Sequence, residues 1–146
     1  MTETTETDWL LDVLRGNEAA ADLCLALGMV SQVWDDVVDE GHSTHINQAM
    51  VAALVEIPAN PFYRAHFDRL QPLVAMACFD YLASVQLERG STHDRTLAFV
   101  MRDSYAAIVT QCAAIIGGTG YAIAQAPRIR RGVHDEPLSQ YLGGLP

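Results

Sequence analysis

Apolar residues recur at spacings of three and four through most of the chain, the period of an α-helix. The stretch from about Glu18 to Glu40 shows it best. Leu23, Leu27, Val30, Trp34 and Val38 form one stripe, and Leu25, Met29, Val33 and Val37 widen it until most of the helix should be buried. Asn17 is placed to cap this helix, and Gly41 to end it in the left-handed conformation. Upstream, Asp8 can cap a short helix carrying Trp9, Leu10, Leu11, Val13 and Leu14, which Arg15-Gly16-Asn17 ends; residues 1–7 read as a frayed tail.

Downstream, Ser43 or Thr44 can cap a helix over about 45–57, with Ile46, Met50, Ala53, Leu54 and Ile57 on one face. Pro58-Ala-Asn-Pro61 breaks the pattern, because each proline holds its predecessor extended. A long segment then runs from about Pro61 to Glu88, where Pro72 should kink or split it. Ser91-Thr-His-Asp94 has capping-box spacing and opens a helix reaching about Ile116, stopped by Gly117-Gly118. A weaker helix covers about Tyr121–Arg131, and residues from about 132 to 146 read as a loose tail. With no period-2 runs, repeats or linkers, the pattern predicts an all-α, single-domain bundle of about five or six helices spanning 1–146.

Composition narrows the function. Of 146 residues, 50% are hydrophobic and the formal net charge is −9, so core material is ample and a phosphate-neutralising, nucleic-acid-binding surface is excluded. The one basic cluster, Arg128-Ile-Arg-Arg131, is too short to reverse this. Cys24, Cys78 and Cys112 lie apart in apolar sequence, which fits buried thiols in a reducing compartment. The acidic N-terminus is unlike a signal peptide, and no apolar run reaches the roughly 20 residues of a membrane helix. Together these predict a cytoplasmic protein without membrane contact. Helices this apolar in a short chain also predict a covered surface, most simply a homodimer or other homo-oligomer.

One stretch breaks local rules. Asp35, Asp36, Asp39 and Glu40 crowd the end of the Glu18–Glu40 helix. Asp35 and Asp39, like Asp36 and Glu40, share a face and repel, and the helix dipole disfavours anions at this end. A divalent cation, Mg²⁺ or Mn²⁺, would relieve both penalties; a solvated helix end is the alternative. Asp80 and Asp103 stand among apolar helical neighbours and need a cation, hydrogen bonds or a proton. Ion pairs with Arg102 or Arg64, or hydrogen bonds from Tyr81 or Tyr105, would satisfy them. In the sharper reading, Asp103 faces Asp35, Asp36 and Asp39 across a polar centre, with Asp80, Arg102 and Tyr105 contacting the ligand. His42 and His45, with Asp39 or Glu40, form a secondary metal candidate.

Asp35-Asp-Val-Val-Asp39 resembles the DDxxD motif of the isoprenoid synthase superfamily. That resemblance implies an all-α enzyme fold in which Asp35, Asp36 and Asp39 hold Mg²⁺ against a substrate diphosphate, with Asp103 as the counterpart of the second acidic motif. This chain lacks the full second motif and has few basic residues to clamp a diphosphate. Trp34-Asp-Asp-Val-Val-Asp39 together with Asn60-Pro-Phe-Tyr63 resembles small proteins of tailed bacteriophages, which implies a viral protein acting in the host cytoplasm. His93-Asp94, with His66 and Asp135 as outer members, is similar to the HD phosphohydrolase set, although helix capping accounts for the pair equally. No nucleophile elbow occurs, and Gly117-Gly-Thr-Gly120 lacks the rest of a phosphate loop. Phe62, Tyr63, Phe67, Phe79 and Tyr81 read as core aromatics.

Two functions are therefore expected. The first is divalent-metal-dependent binding, with turnover left open, of a diphosphate- or nucleotide-like ligand at the aspartate-rich helix end. The alternative is a non-catalytic helical protein that binds a host or viral protein through an acidic surface.

Overall fold

The structure, a computed structural model, describes residues 3–146, with side chains described from residue 6 onward. The fold is all-α. The helices are α1 (Glu3–Val13), α2 (Glu18–Glu40), α3 (Ile46–Val51), α4 (Ile57–Ala59), α5 (Pro61–Ala65), α6 (Phe67–Leu87), α7 (Thr92–Met101), α8 (Asp103–Gly117), α9 (Thr119–Val133) and α10 (Leu138–Gly143). A π-helical turn, Ala52–Glu56, joins α3 to α4, so Ile46–Ala59 is one continuous helix. Contacts gather into two compact units, Met1–Phe67 and Asp68–Pro146.

In the first unit the caps follow the sequence closely. Asn17 accepts a hydrogen bond from Ala20 N at 3.0 Å, and Gly41 (φ 81°) closes α2 by donating to Val37 O at 2.9 Å. Gly16 (φ 75°) donates back to Leu11 O at 2.7 Å, a left-handed helix end that draws Arg15 to φ 54° as well. The core comprises Leu10, Val13 and Leu14 of α1, Leu23, Cys24 and Val33 of α2, and Ile57, Phe62 and Tyr63. Several expectations fail here: α2 buries only Ala20, Ala21, Leu23, Cys24 and Val33 and leaves Val38 exposed, neither Ser43 nor Thr44 caps the next helix, and Ile57 stays helical before Pro58, so of that pair of prolines only Pro61 has an extended predecessor. Helix α1 starts by Glu3, so the described part of the 1–7 stretch is helical and Asp8 lies inside the helix rather than capping it. The 46–59 helix is also largely turned over: of the expected face only Ile57 is buried, joined by Ala49 and Ala52, while Ile46, Met50 and Leu54 stand in solvent. Alanines let this helix approach α2 closely, and the π turn keeps Ala52 and Ile57, five residues apart, on one side.

Pro72 does not break α6, which runs through it; the interruption falls at His66 instead, where φ is −123°. In the second unit, the Ser91–Asp94 capping box forms in both directions. The helix it opens extends over Thr92–Gly117 with a step at Arg102, and Gly118 (φ 88°) ends it. Helices α8 and α9 pack together around Ala106, Val109, Cys112, Ala113, Ala122 and Ile129. The expected loose tail carries α10, because Tyr141 inserts to 4% exposure and donates to Glu88 Oε1 at 2.6 Å. Arg102 covers that ring at 4.4 Å, and Arg95 Nη2 donates to Pro146 O at 3.0 Å.

Helices Phe67–Leu87 and Thr92–Gly117 are long and apolar enough to cross a membrane by length and composition, each with mean hydropathy 1.2. The expectation that no apolar run approaches this length is corrected here: both helices reach it while carrying charges, Asp80 in the first and Arg102 and Asp103 in the second.

Candidate functional site

The aspartate-rich turn forms as a regular helix end. Asp35 and Asp36 are half-buried, whereas Asp39 and Glu40 are exposed. Asp36 Oδ1 accepts from Gln32 Nε2, one turn back, at 3.0 Å. Asp35 and Asp39 also take part in interactions within the fold. Past Gly41, His42 Nδ1 meets the Glu40 carbonyl at 3.2 Å, and His45 Nδ1 meets Gln48 Oε1 at 2.6 Å. Each histidine thus has a local partner one side of its ring, which orients the loop. Among the described residues, no three His, Cys, Asp or Glu side chains come together as a metal-ligand group.

The other two aspartates belong to the second unit and are satisfied there. Ser104, on α8, donates to Asp80 on α6 and lies 3.0 Å from Met101 O. Asp103 Oδ2 receives Arg130 Nη2 at 3.0 Å and Nε at 3.1 Å, while Oδ1 receives His134 Nε2 at 3.1 Å. Sequence reasoning had foreseen an ion pair or hydrogen bond for each, but with other partners. It missed Ser104, Arg130 and His134. Arg130, in the last turn of α9, and His134, just past its end, are four apart, a signal the sequence carried, but nothing in it said which acid they would meet. Arg102 turns to Tyr141 and to Glu136, 3.9 Å away. Both carboxylate oxygens of Asp103 are therefore already in use, by an arginine fork on one side and an imidazole on the other.

The HD-type set resolves in the same way. Asp94 closes the capping box, His93 is exposed, and His66 packs against Phe62 with ring centroids 4.8 Å apart. Cys24 and Cys112 are buried thiols outside any disulfide, and Cys78 is a half-buried one.

The sequence predicted apolar surface in need of cover, but not which side chains would be left outside. On Ile46–Ala59, Met50, Val51, Leu54 and Val55 are between 49% and 68% exposed. On α6, Met76, Phe79 and Leu82 are 51%, 61% and 57% exposed, and of its 21 residues only Leu70 and Ser84 are buried. Phe79 and Phe67 therefore leave the expected aromatic core, whereas Phe62 and Tyr63 stay in it. No family model, curated protein or solved structure matches this chain.

Proposed function

We propose that this protein acts by binding another protein, through the apolar outer face of the Ile46–Ala59 helix and the acidic end of α2. The inversion of that helix carries the reading: alanines face inward, and Met50, Val51, Leu54 and Val55 face water. Leaving a large aliphatic side chain in water forgoes about 1.5–3 kcal/mol of burial, so a contiguous set of four is expected where a partner covers it. Asp36, Asp39 and Glu40 lie in the turn just upstream and give the approach a negative sign. The partner that fits is an amphipathic segment whose apolar face is flanked by Arg or Lys. The resemblance to phage proteins supports a host or viral partner.

The test uses Leu54→Glu, at a position 68% exposed, whose fold should survive by circular dichroism and melting. A partner held by the wild type is lost from this variant, and its association weakens as salt rises from about 0.05 to about 0.5 M. Retention of the same proteins by wild type and variant at every salt concentration defeats the proposal.

A second reading keeps the α2 end as a Mg²⁺ or Mn²⁺ site for a diphosphate- or nucleotide-like ligand. It is supported by anionic charge stacked against the helix dipole with no basic residue in the last turn. Asp35, Asp36 and Asp39 would bind the ion, with waters and ligand phosphates completing the shell. Asp103, committed to Arg130 and His134, drops out of this set. Millimolar Mg²⁺ or Mn²⁺ would then raise the melting temperature of the wild type and not of Asp36→Asn. No shift with either ion removes this reading and leaves the first untouched.

A further inference from the structure

Helix α6 carries an outer face that is apolar over about three turns. At 100° per residue, Pro72, Ala75, Met76, Phe79, Leu82, Ala83 and Gln86 fall within one 120° sector centred on Phe79. Pro72, Met76, Phe79, Leu82 and Gln86 are exposed, and Ala75 and Ala83 are partly so. The opposite face, through Leu70 and Ser84, is the buried one. Met76, Phe79 and Leu82 alone leave roughly 350 Å² in water, at the scale where a patch on a monomer has a purpose.

The face has an internal symmetry that names its occupant. Counting outward from Phe79, Ala75 and Ala83 lie four residues away on either side, Met76 and Leu82 three, and Pro72 and Gln86 seven. Small side chains thus alternate with large ones about a central aromatic. We propose that a second copy of this chain docks here, its α6 antiparallel to the first, with the two-fold axis passing between the two Phe79 rings. In that register Met76 lies over the partner's Ala83 and Leu82 over the partner's Ala75, so each large side chain meets a small one.

Charge agrees with this direction. Exposed Asp68 stands at the N-terminal end of the face and exposed Arg89 just past its C-terminal end. Antiparallel pairing brings each onto the other in the second copy, twice over; parallel pairing would set like against like. A shallow groove lined by Ala83, Gln86, Leu87, Arg89, Gly90 and Asp94 lies at the C-terminal end, where the partner's Pro72 and Asp68 would arrive; Asp94 is turned to its own capping box, which leaves Arg89 as the exposed charge there. Two copies contribute roughly 700 Å² from the three large side chains before alanines and rims are counted, which brings the contact toward the lower range of specific interfaces, about 1,200 Å². This dimer uses the second unit and is independent of the partner-binding face on the first.

Sedimentation of the full chain across about 1–200 µM tests it. The mass is expected to rise from 15.9 kDa toward twice that value, and Phe79→Asp to hold it at the monomer value with an unchanged helical spectrum. Asp68→Arg alone weakens the dimer at least about tenfold, and adding Arg89→Asp to the same chain restores it; this pair stays informative should Phe79→Asp fail to fold. A chain that stays monomeric throughout overturns the proposal, as does a dimer indifferent to both sets of changes. A monomer that binds phosphatidylcholine vesicles through the same residues overturns it in favour of a lipid surface.

Discussion

Asn60 offers the sharpest energetic test of the first unit. Its Oδ1 accepts from Tyr63 N at 2.9 Å, capping α5, while its Nδ2 donates to Ala19 O on α2 at 2.9 Å. The backbone is extended (φ −61°, ψ 124°), as the following Pro61 requires, so the side chain is presented without strain. Asn60→Ala removes both bonds. The lost cap costs about 1 kcal/mol and the lost bridge about another 1, for about 2 kcal/mol in all. Asn60→Ser separates the two effects, since serine caps nearly as well but is too short to reach Ala19; it should cost about 1 kcal/mol. Urea unfolding followed by tryptophan fluorescence is the suitable assay. Both tryptophans, Trp9 and Trp34, lie in Met1–Phe67, so the signal reports on the unit that Asn60 joins. Equal losses in the Ser and Ala variants, or a loss under about 0.5 kcal/mol for Ala, would refute the double role.

Three further outcomes are expected. Burial raises the Tyr63 pKa above its ordinary value of 10.0, so the folded state holds this proton more tightly than the unfolded chain. That contribution is complete below the ordinary value and is lost as pH climbs through the raised one; all nine basic residues are arginine, so no lysine titrates in the same window. Thermal melts should therefore fall more steeply with alkaline pH in wild type than in Tyr63→Phe, and parallel curves would contradict the shift. Tyr141→Phe removes the bond to Glu88 and should cost about 1 kcal/mol, with faster amide exchange confined at first to α10. Asp103→Asn weakens the contacts to Arg130 and His134; with Asp103 34% and Arg130 44% exposed, a loss of about 1 kcal/mol or less is expected by chemical denaturation, and a loss several times larger would mark the cluster as more than a surface ion pair.

The chain's local chemistry was legible in advance at several helix ends, though not at Asp8, Ser43, Thr44 or Pro58, where the helix took another course. Asn17 and the Ser91–Asp94 box start helices, and Gly16, Gly41 and Gly118 end them, each acting within four or five residues of itself. Asn60-Pro-Phe-Tyr63, noticed as part of a resemblance, has a physical account of the same kind: a cap and a proline that start α5. Periodicity likewise determined the all-α class, because a 3.6-residue pattern cannot serve a strand.

Tertiary structure decided which way each apolar helix faces and which partner each acid takes. The 46–59 helix has apolar residues all round, so period alone could not say that its alanines would turn to α2 and its leucine and valines to water; close approach of small side chains did. Pro72 lies inside α6, in its second turn, and the chain's interruption falls at His66. Asp103 meets Arg130 and His134 across 27 and 31 residues, a distance over which no spacing rule acts. Sequence thus set the helices and several of their ends, through interactions one turn long; packing set their outer faces and ion pairs, through contacts between elements far apart in the chain.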